Sequence, residues 1–143
     1  TRFRNVTGVQ TCALPILIDP EFAKGNEARI AEAIAPAHEF RAHNAPLGIR
    51  FLKRPGRPAG FERAALVALH GSWNRSAPDG YKVVSLHWSD SGAIEERPFL
   101  DGFRGAAGLI GRPVDVAEGP DGSIYVSDDY AGVVYRVRYE PSR

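Results

Sequence analysis

Five residues carry the side chains that could do chemistry here: His43, His70, Trp73, Arg75 and Arg112. Arginine presents a rigid, permanently charged fork that matches carboxylates. Histidine donates or accepts a hydrogen bond according to its protonation. Tryptophan offers a flat apolar face with one N–H donor. Together the arginines and histidines suit an anionic organic molecule better than a metal ion, which asks for converging carboxylates, amides or thiolates. Each also has a structural reading: Arg75 and Arg112 as braces of a loop, His43 and His70 as hydrogen-bonded packing residues, Trp73 as an aromatic between packed sheets. Asp128 and Asp129 invite a metal reading, but Asp in a turn at a strand end ordinarily caps backbone amides, and that is the expectation here. His38 and His87 read as surface or strand residues.

The five sit on loops, and the elements that hold those loops are strands. From Gly111 to Val137 the chain reads as strand, Gly-Pro-Asp-Gly turn, strand, Asp-Asp/Ala-Gly turn, strand. Short strands at that spacing, joined by tight turns, predict a β-propeller blade. Upstream, strands are expected at 48–53, 64–70, 81–88 and 93–100. The run Ala-Ala-Leu-Val-Ala-Leu-His at 64–70 suits a strand buried on both faces. The 81–88 strand is read as alternating. Residues 71–80 form a loop directly after the most buried strand, and 101–111 a glycine-rich connection. Four strands make one blade at 48–100, and three make an incomplete final blade at 101–143. The fold class is therefore all-β, a partial propeller comprising about its last two blades. A closed ring removes exposed strand edges, so this chain alone is expected to leave an open edge and an unclosed ring. Residues 17–47 read as an inter-blade loop or short helix; 19–34 are helix-like in composition and Pro36 stops the run.

Residues 6–16 stand apart. Val-Thr-Gly-Val-Gln-Thr-Cys-Ala-Leu-Pro-Ile matches the translation of a common sequencing adapter, so residues 1–16 are expected to be an artefact and carry no weight in the fold. Setting them aside removes Cys12, the only cysteine, along with Arg2 and Arg4. Disulfide, thiol-nucleophile and Cys-ligated metal readings fall with it. The net charge of the remainder becomes −1 rather than +1. That balance argues against nucleic acid or an anionic membrane as partner. No apolar run approaches 18 residues, so no membrane span is expected.

At this point the sequence resembles a family. His-Asn-Ala-Pro-Leu-Gly-Ile at 43–49, His-Gly-Ser-Trp-Asn-Arg at 70–75, Gly-Tyr-Lys-Val-Val at 80–84 and the stretch 111–129 are similar to the C-terminal part of sorbosone dehydrogenases, which group with soluble quinoprotein glucose dehydrogenases and fungal pyranose dehydrogenases. The resemblance implies a six-bladed propeller that holds pyrroloquinoline quinone (PQQ) and calcium, and oxidises an aldose or sorbosone-like sugar by hydride transfer to the quinone. It implies that Arg112 stands where the family places an arginine gripping the cofactor, and His70 where the glucose enzymes place a cofactor-binding lysine. A second family arginine corresponds to Val114 here, a departure from the glucose enzymes. Trp73, Arg75 and His43 become candidate lining residues of the cofactor or sugar pocket. The resemblance puts the catalytic base and the calcium ligands upstream, so no catalytic or metal-ligating residue is assigned in this chain, and the chain by itself is expected to be inactive. It further implies a sugar substrate, an external electron acceptor and a periplasmic or secreted location. Two other classes stand beside this one: a metal-dependent propeller lactonase or hydrolase, and a non-catalytic binding propeller.

Overall fold

A computed structural model describes residues 24–31, 34, 36–55 and 57–140. The adapter-like segment and the first part of the 17–47 connection lie outside the described residues. Two compact units are distinguished, Thr1–Glu39 and Phe40–Arg143. In the first, the helix-like composition yields one short helix, α1 (Glu27–Ala31), whose Glu27 carboxylate accepts from the Gly25 amide at 3.0 Å. Among the described residues no helix is long and apolar enough to cross a membrane.

The second unit is built from antiparallel strands. β1 (Pro46–Phe51), β2 (Ala64–Leu69), β3 (Lys82–Trp88) and β4 (Ile94–Leu100) form a meander in spatial order β1-β2-β3-β4. β7 (Pro113–Glu118), β8 (Ile124–Asp128) and β9 (Val133–Val137) form a second, three-stranded meander. These are the four-stranded and three-stranded units the sequence predicts, and the strands of the first begin and end within two residues of expectation. The connection between them is more ordered than a glycine-rich stretch suggests. It folds into a two-stranded ribbon, β5 (Arg104–Gly105) with β6 (Gly108–Leu109), closed by Ile110 and Gly111 amides donating to the Phe103 carbonyl at 2.8 and 2.9 Å. Strands of two residues carry no readable periodicity.

β2 explains the packing. All six of its residues are buried, and strand alternation sends them to two different cores. Ala64, Leu66 and Ala68 join Tyr81, Val83, Phe103, Val116, Ile124 and Val126 between the two sheets. Val67 and Leu69 join Val84 and Leu86 on the other face, with Phe40, Trp88 and Ile94 packed against them. β3 is correspondingly buried over five consecutive residues rather than alternating as the sequence reading has it. Its polar members are accommodated by hydrogen bonds: the His87 ring reaches the Gly60 carbonyl and Ser85 Oγ, each at 2.9 Å. Pro98 lies in β4, the outermost strand of its sheet, where a missing N–H is tolerated.

The innermost strands of the two blades approach closely at Gly48, where any Cβ would meet the Asp115 backbone and side chain. At the far end of β7 the Glu118 carboxylate crosses between blades and accepts from the Lys53 and Arg54 amides at 2.8 to 3.2 Å. Among the described residues β9 pairs with β8 alone, and Val133 and Val134 beside that edge are exposed.

Two expectations follow. Leu66→Ala removes a wholly buried side chain from the inter-blade core and should cost about 2–5 kcal/mol, read from the urea unfolding midpoint. The turn before β8 is held by Asp121, which accepts from the Ser123 amide and hydroxyl and from Arg136. Those bonds, the Ser123 amide foremost, lower its carboxyl from 3.8 to about 2. A depressed folded-state value means stability fully present above the unfolded value of about 4 and lost as pH falls toward about 2. The wild type should therefore lose stability across that window by more than Asp121→Asn does, in denaturant titrations at stepped pH.

Candidate functional site

Antiparallel pairing gathers one set of loops. β1 and β3 start, and β2 ends, at the same end of the first blade; β7 and β9 start, and β8 ends, at that end of the second. Segments 42–46, 70–81, 111–112 and 128–132 therefore share one end of the strands. All five candidate residues lie on them.

The loops interlock through backbone. The His70 amide donates to the Ala45 carbonyl and the Gly71 amide to the Asn44 carbonyl, both at 3.0 Å. The Ser72 amide donates to the Asp79 carbonyl at 2.9 Å, and Ser72 Oγ accepts from the Asp79 amide at 3.0 Å. Tyr81 hydroxyl donates to the Ser72 carbonyl. Three non-glycine residues here have positive φ: His43 at 67°, Ala45 at 49° and Tyr81 at 55°. Such conformations cost of order 1–3 kcal/mol each and persist where the surroundings enforce them. Gly71 is required twice over, by its φ of 96° and because a Cβ would enter the Tyr81 ring.

Arg112 crosses from the second blade to the first. Its Nε donates to the His70 carbonyl at 3.2 Å and its Nη2 to the Gly71 carbonyl at 2.7 Å. The guanidinium carbon stands 5.5 Å from the Tyr81 ring centroid, on which Arg104 also bears at 6.0 Å, an arrangement favourable to cations. These bonds use Nε and Nη2; Nη1 is not among them. The loop-bracing role considered for Arg112 is thus real.

Two carboxylates answer from the second blade. Asp128, buried at 3% exposure, accepts from the Arg112 amide at 3.0 Å, the Ala131 amide at 2.8 Å and the Tyr135 hydroxyl at 3.3 Å. It caps backbone amides, as a strand-ending Asp is expected to. Burial, then the Asp128 charge, pushes the Tyr135 hydroxyl up from 10.0. Asp129 faces His70: Nε2 lies 3.0 and 3.2 Å from its two oxygens. The His70 hydrogen bond, ahead of the charges of His70 and Arg112, holds the Asp129 carboxyl below its ordinary value.

Of the predicted residues, the structure brings His70 and Arg112 together. Arg75 lies in the same loop and ties it shut, donating from Nε to Ala77 O at 3.1 Å and from Nη1 to Ala42 O at 2.8 Å. His43 and Trp73 are exposed, Trp73 at 83%, so among the described residues no packed face covers Trp73. Among the described residues no side-chain hydrogen bond ties either to the His70–Arg112 pair. Sequence reasoning missed Tyr81 as the platform under Arg112 and Asp129 as the partner of His70. It also missed Asn44, 5% exposed, whose Oδ1 has no hydrogen-bond partner among the described residues. A cleft of about 390 Å³ opens at the opposite strand ends, beside Phe51, Leu52 and Trp88; the cationic donors are at the loop end instead. Among the described residues no three His, Cys, Asp or Glu side chains gather as a metal site would require.

A family model described as TrAA12-like matches residues 7–140. This chain belongs to the TrAA12-like family. The matched range begins within the adapter-like segment. A PQQ-dependent pyranose dehydrogenase of Coprinopsis cinerea is 32% identical over 130 residues, covering 76% of the TrAA12-like chain and 17% of the enzyme. A solved structure, the holo form of the pyranose dehydrogenase PQQ domain from Coprinopsis cinerea, superposes with a TM-score of 0.55 at 32% identity, covering 76% of this chain and 30% of that one. The calcium structure of a Trichoderma reesei carbohydrate-active enzyme of family AA12 superposes with a TM-score of 0.60 at 23% identity, covering 75% of this chain and 27% of that one, and attests the fold. The TrAA12-like chain thus spans less than a third of each of these relatives, and its two sheets are blades of a partial β-propeller.

The capping by Asp128 is open to test. Asp128→Ala leaves two backbone donors without their acceptor, one of them on Arg112. It should destabilise the protein by roughly 1–3 kcal/mol or more, measured by urea unfolding.

Proposed function

We propose that this chain supplies two adjacent blades of a PQQ-dependent sugar dehydrogenase, and that the His70–Arg112 end forms part of the wall holding the quinone. The observation that carries this is the cross-blade Arg112, seated against His70 and Tyr81 on the loops whose sequences carry the family resemblance. The 32% identity to the Coprinopsis pyranose dehydrogenase supports it.

The donor set suits PQQ, a flat tricarboxylate. Arg75, Arg104 and Arg112 are cations at or beside this end, and His70 is able to donate. The nearby carboxylates do not compete, because Asp128 and Asp129 already accept from protein donors. Arg112, through Nη1, and His70 would hold the cofactor carboxylates, with Arg75, Trp73 and His43 at the rim. When bound, PQQ supplies the hydride acceptor for sugar oxidation. The chain's own contribution is placement: Arg112 fixes the 70–72 backbone, and the strained 43–45 and 80–81 turns hold that backbone from below.

Calcium is different. The described residues offer no cluster of three His, Cys, Asp or Glu side chains; on this reading the calcium ligands lie upstream, and no step here runs through the ion. On this reading the whole protein is a six-bladed ring, exported to the periplasm or secreted, that passes electrons to an external acceptor. The proton acceptor also lies elsewhere in the ring, so the 143-residue chain alone is inactive.

In the full-length protein, Arg112→Ala should weaken PQQ binding by roughly 2–5 kcal/mol, because a cofactor carboxylate loses its charged partner. Titration of PQQ absorbance or protein fluorescence measures it, and unchanged affinity would sink the assignment.

A further inference from the structure

Asp129 has no place in the quinone reading as it stands, yet it makes the only side-chain contact of the His70 ring among the described residues' hydrogen bonds. A carboxylate accepts and cannot donate at neutral pH. Two of its oxygens within 3.2 Å of Nε2 therefore require the proton on Nε2. The nitrogen left for a ligand is Nδ1. The neighbouring Asp128 fixes the turn that presents Asp129, through the Arg112 and Ala131 amides. The ring is 20% exposed and the carboxylate 61%, so the pair sits at a surface that a ligand can reach.

We propose that Asp129 is the positioning residue of this site: it locks His70 as the Nε2–H form and so makes Nδ1 the atom that meets an anionic ligand. The inference rests on the quinone-site reading for the identity of that ligand. A ring that carries both protons donates from both nitrogens, so an anionic oxygen at Nδ1 is held by an N–H while Asp129 balances the charge at Nε2. Of the charged groups nearby, Asp129, from the β8–β9 turn, contacts the ring, and Arg112, from the segment before β7, bonds the backbone carbonyl of the same residue. His70 holds the Asp129 carboxyl below its ordinary value, which favours the ionised form that accepts from Nε2. The arrangement parallels the carboxylate partners that orient histidines at metal centres and set their tautomer.

The test is paired. In the full-length protein with ¹⁵N-labelled histidine, the free wild type should show His70 protonated at Nε2, and added PQQ should move Nδ1 toward the protonated position. Asp129→Asn should scatter the proton between the two nitrogens and lower PQQ affinity roughly tenfold to a hundredfold, the range found for such orienting partners. Asp129→Glu should restore most of that loss. Circular dichroism establishes that each variant is folded. Unchanged affinity and an unchanged His70 tautomer in Asp129→Asn overturn the role of Asp129 while leaving the quinone site standing. No PQQ binding by the wild type overturns the quinone reading and the ligand assignment with it.

Discussion

The structure at the loop end depends on one exchange across the blade boundary. Arg112 gives its guanidinium to the carbonyls of residues 70 and 71, and His70 gives its ring N–H to Asp129. Each blade thus supplies a donor that the other must satisfy. Backbone carbonyls at the end of a buried strand need partners, and at the end of β2 the partner is a charged side chain from the next sheet. Such bonds are short-range and directional, so the two blades have one relative position that satisfies them. The strained turns at 43–45 and 80–81 are held in place from the same side and add rigidity to the same segment.

The inter-blade core explains why this exchange is affordable. β2 is buried throughout because its alternate residues serve two different cores. A strand packed on both faces places its terminal residue, His70, at the edge of dense packing with little freedom to move. Apolar burial supplies the gross stabilisation, and the polar contacts at the strand end choose the geometry.

Much of this was legible in the chain. The 64–70 run announced a doubly buried strand, and the Pro-Asp-Gly turn announced the second meander. Blade count and strand order followed from turn spacing, and His70 and Arg112 stood out by residue type at strand ends. The β5–β6 ribbon did not, because two-residue strands have no period. The continuous burial of β3 was masked by Ser85 and His87, polar residues that hydrogen bonds admit to the interior. Tyr81 and Asp129 escaped because their roles are set by contacts to residues 31 and 59 positions away. No local pattern encodes a partner so distant.

Glu118 gives the two blades a second fastening, at the opposite strand ends from Arg112. A pair of sheets pinned at both ends cannot fan open or twist about either one. The spacing between His70 and Arg112 is then set chiefly by the sheets and by the backbone bonds at 70–72, with the loop that runs from 73 to 78 lying beyond them. That loop carries the exposed Trp73 and returns to the sheet at Asp79. Its side-chain tie to the 42–46 segment is Arg75, so a change of side chain at Trp73 alters what stands above the site while the grip beneath it stays the same.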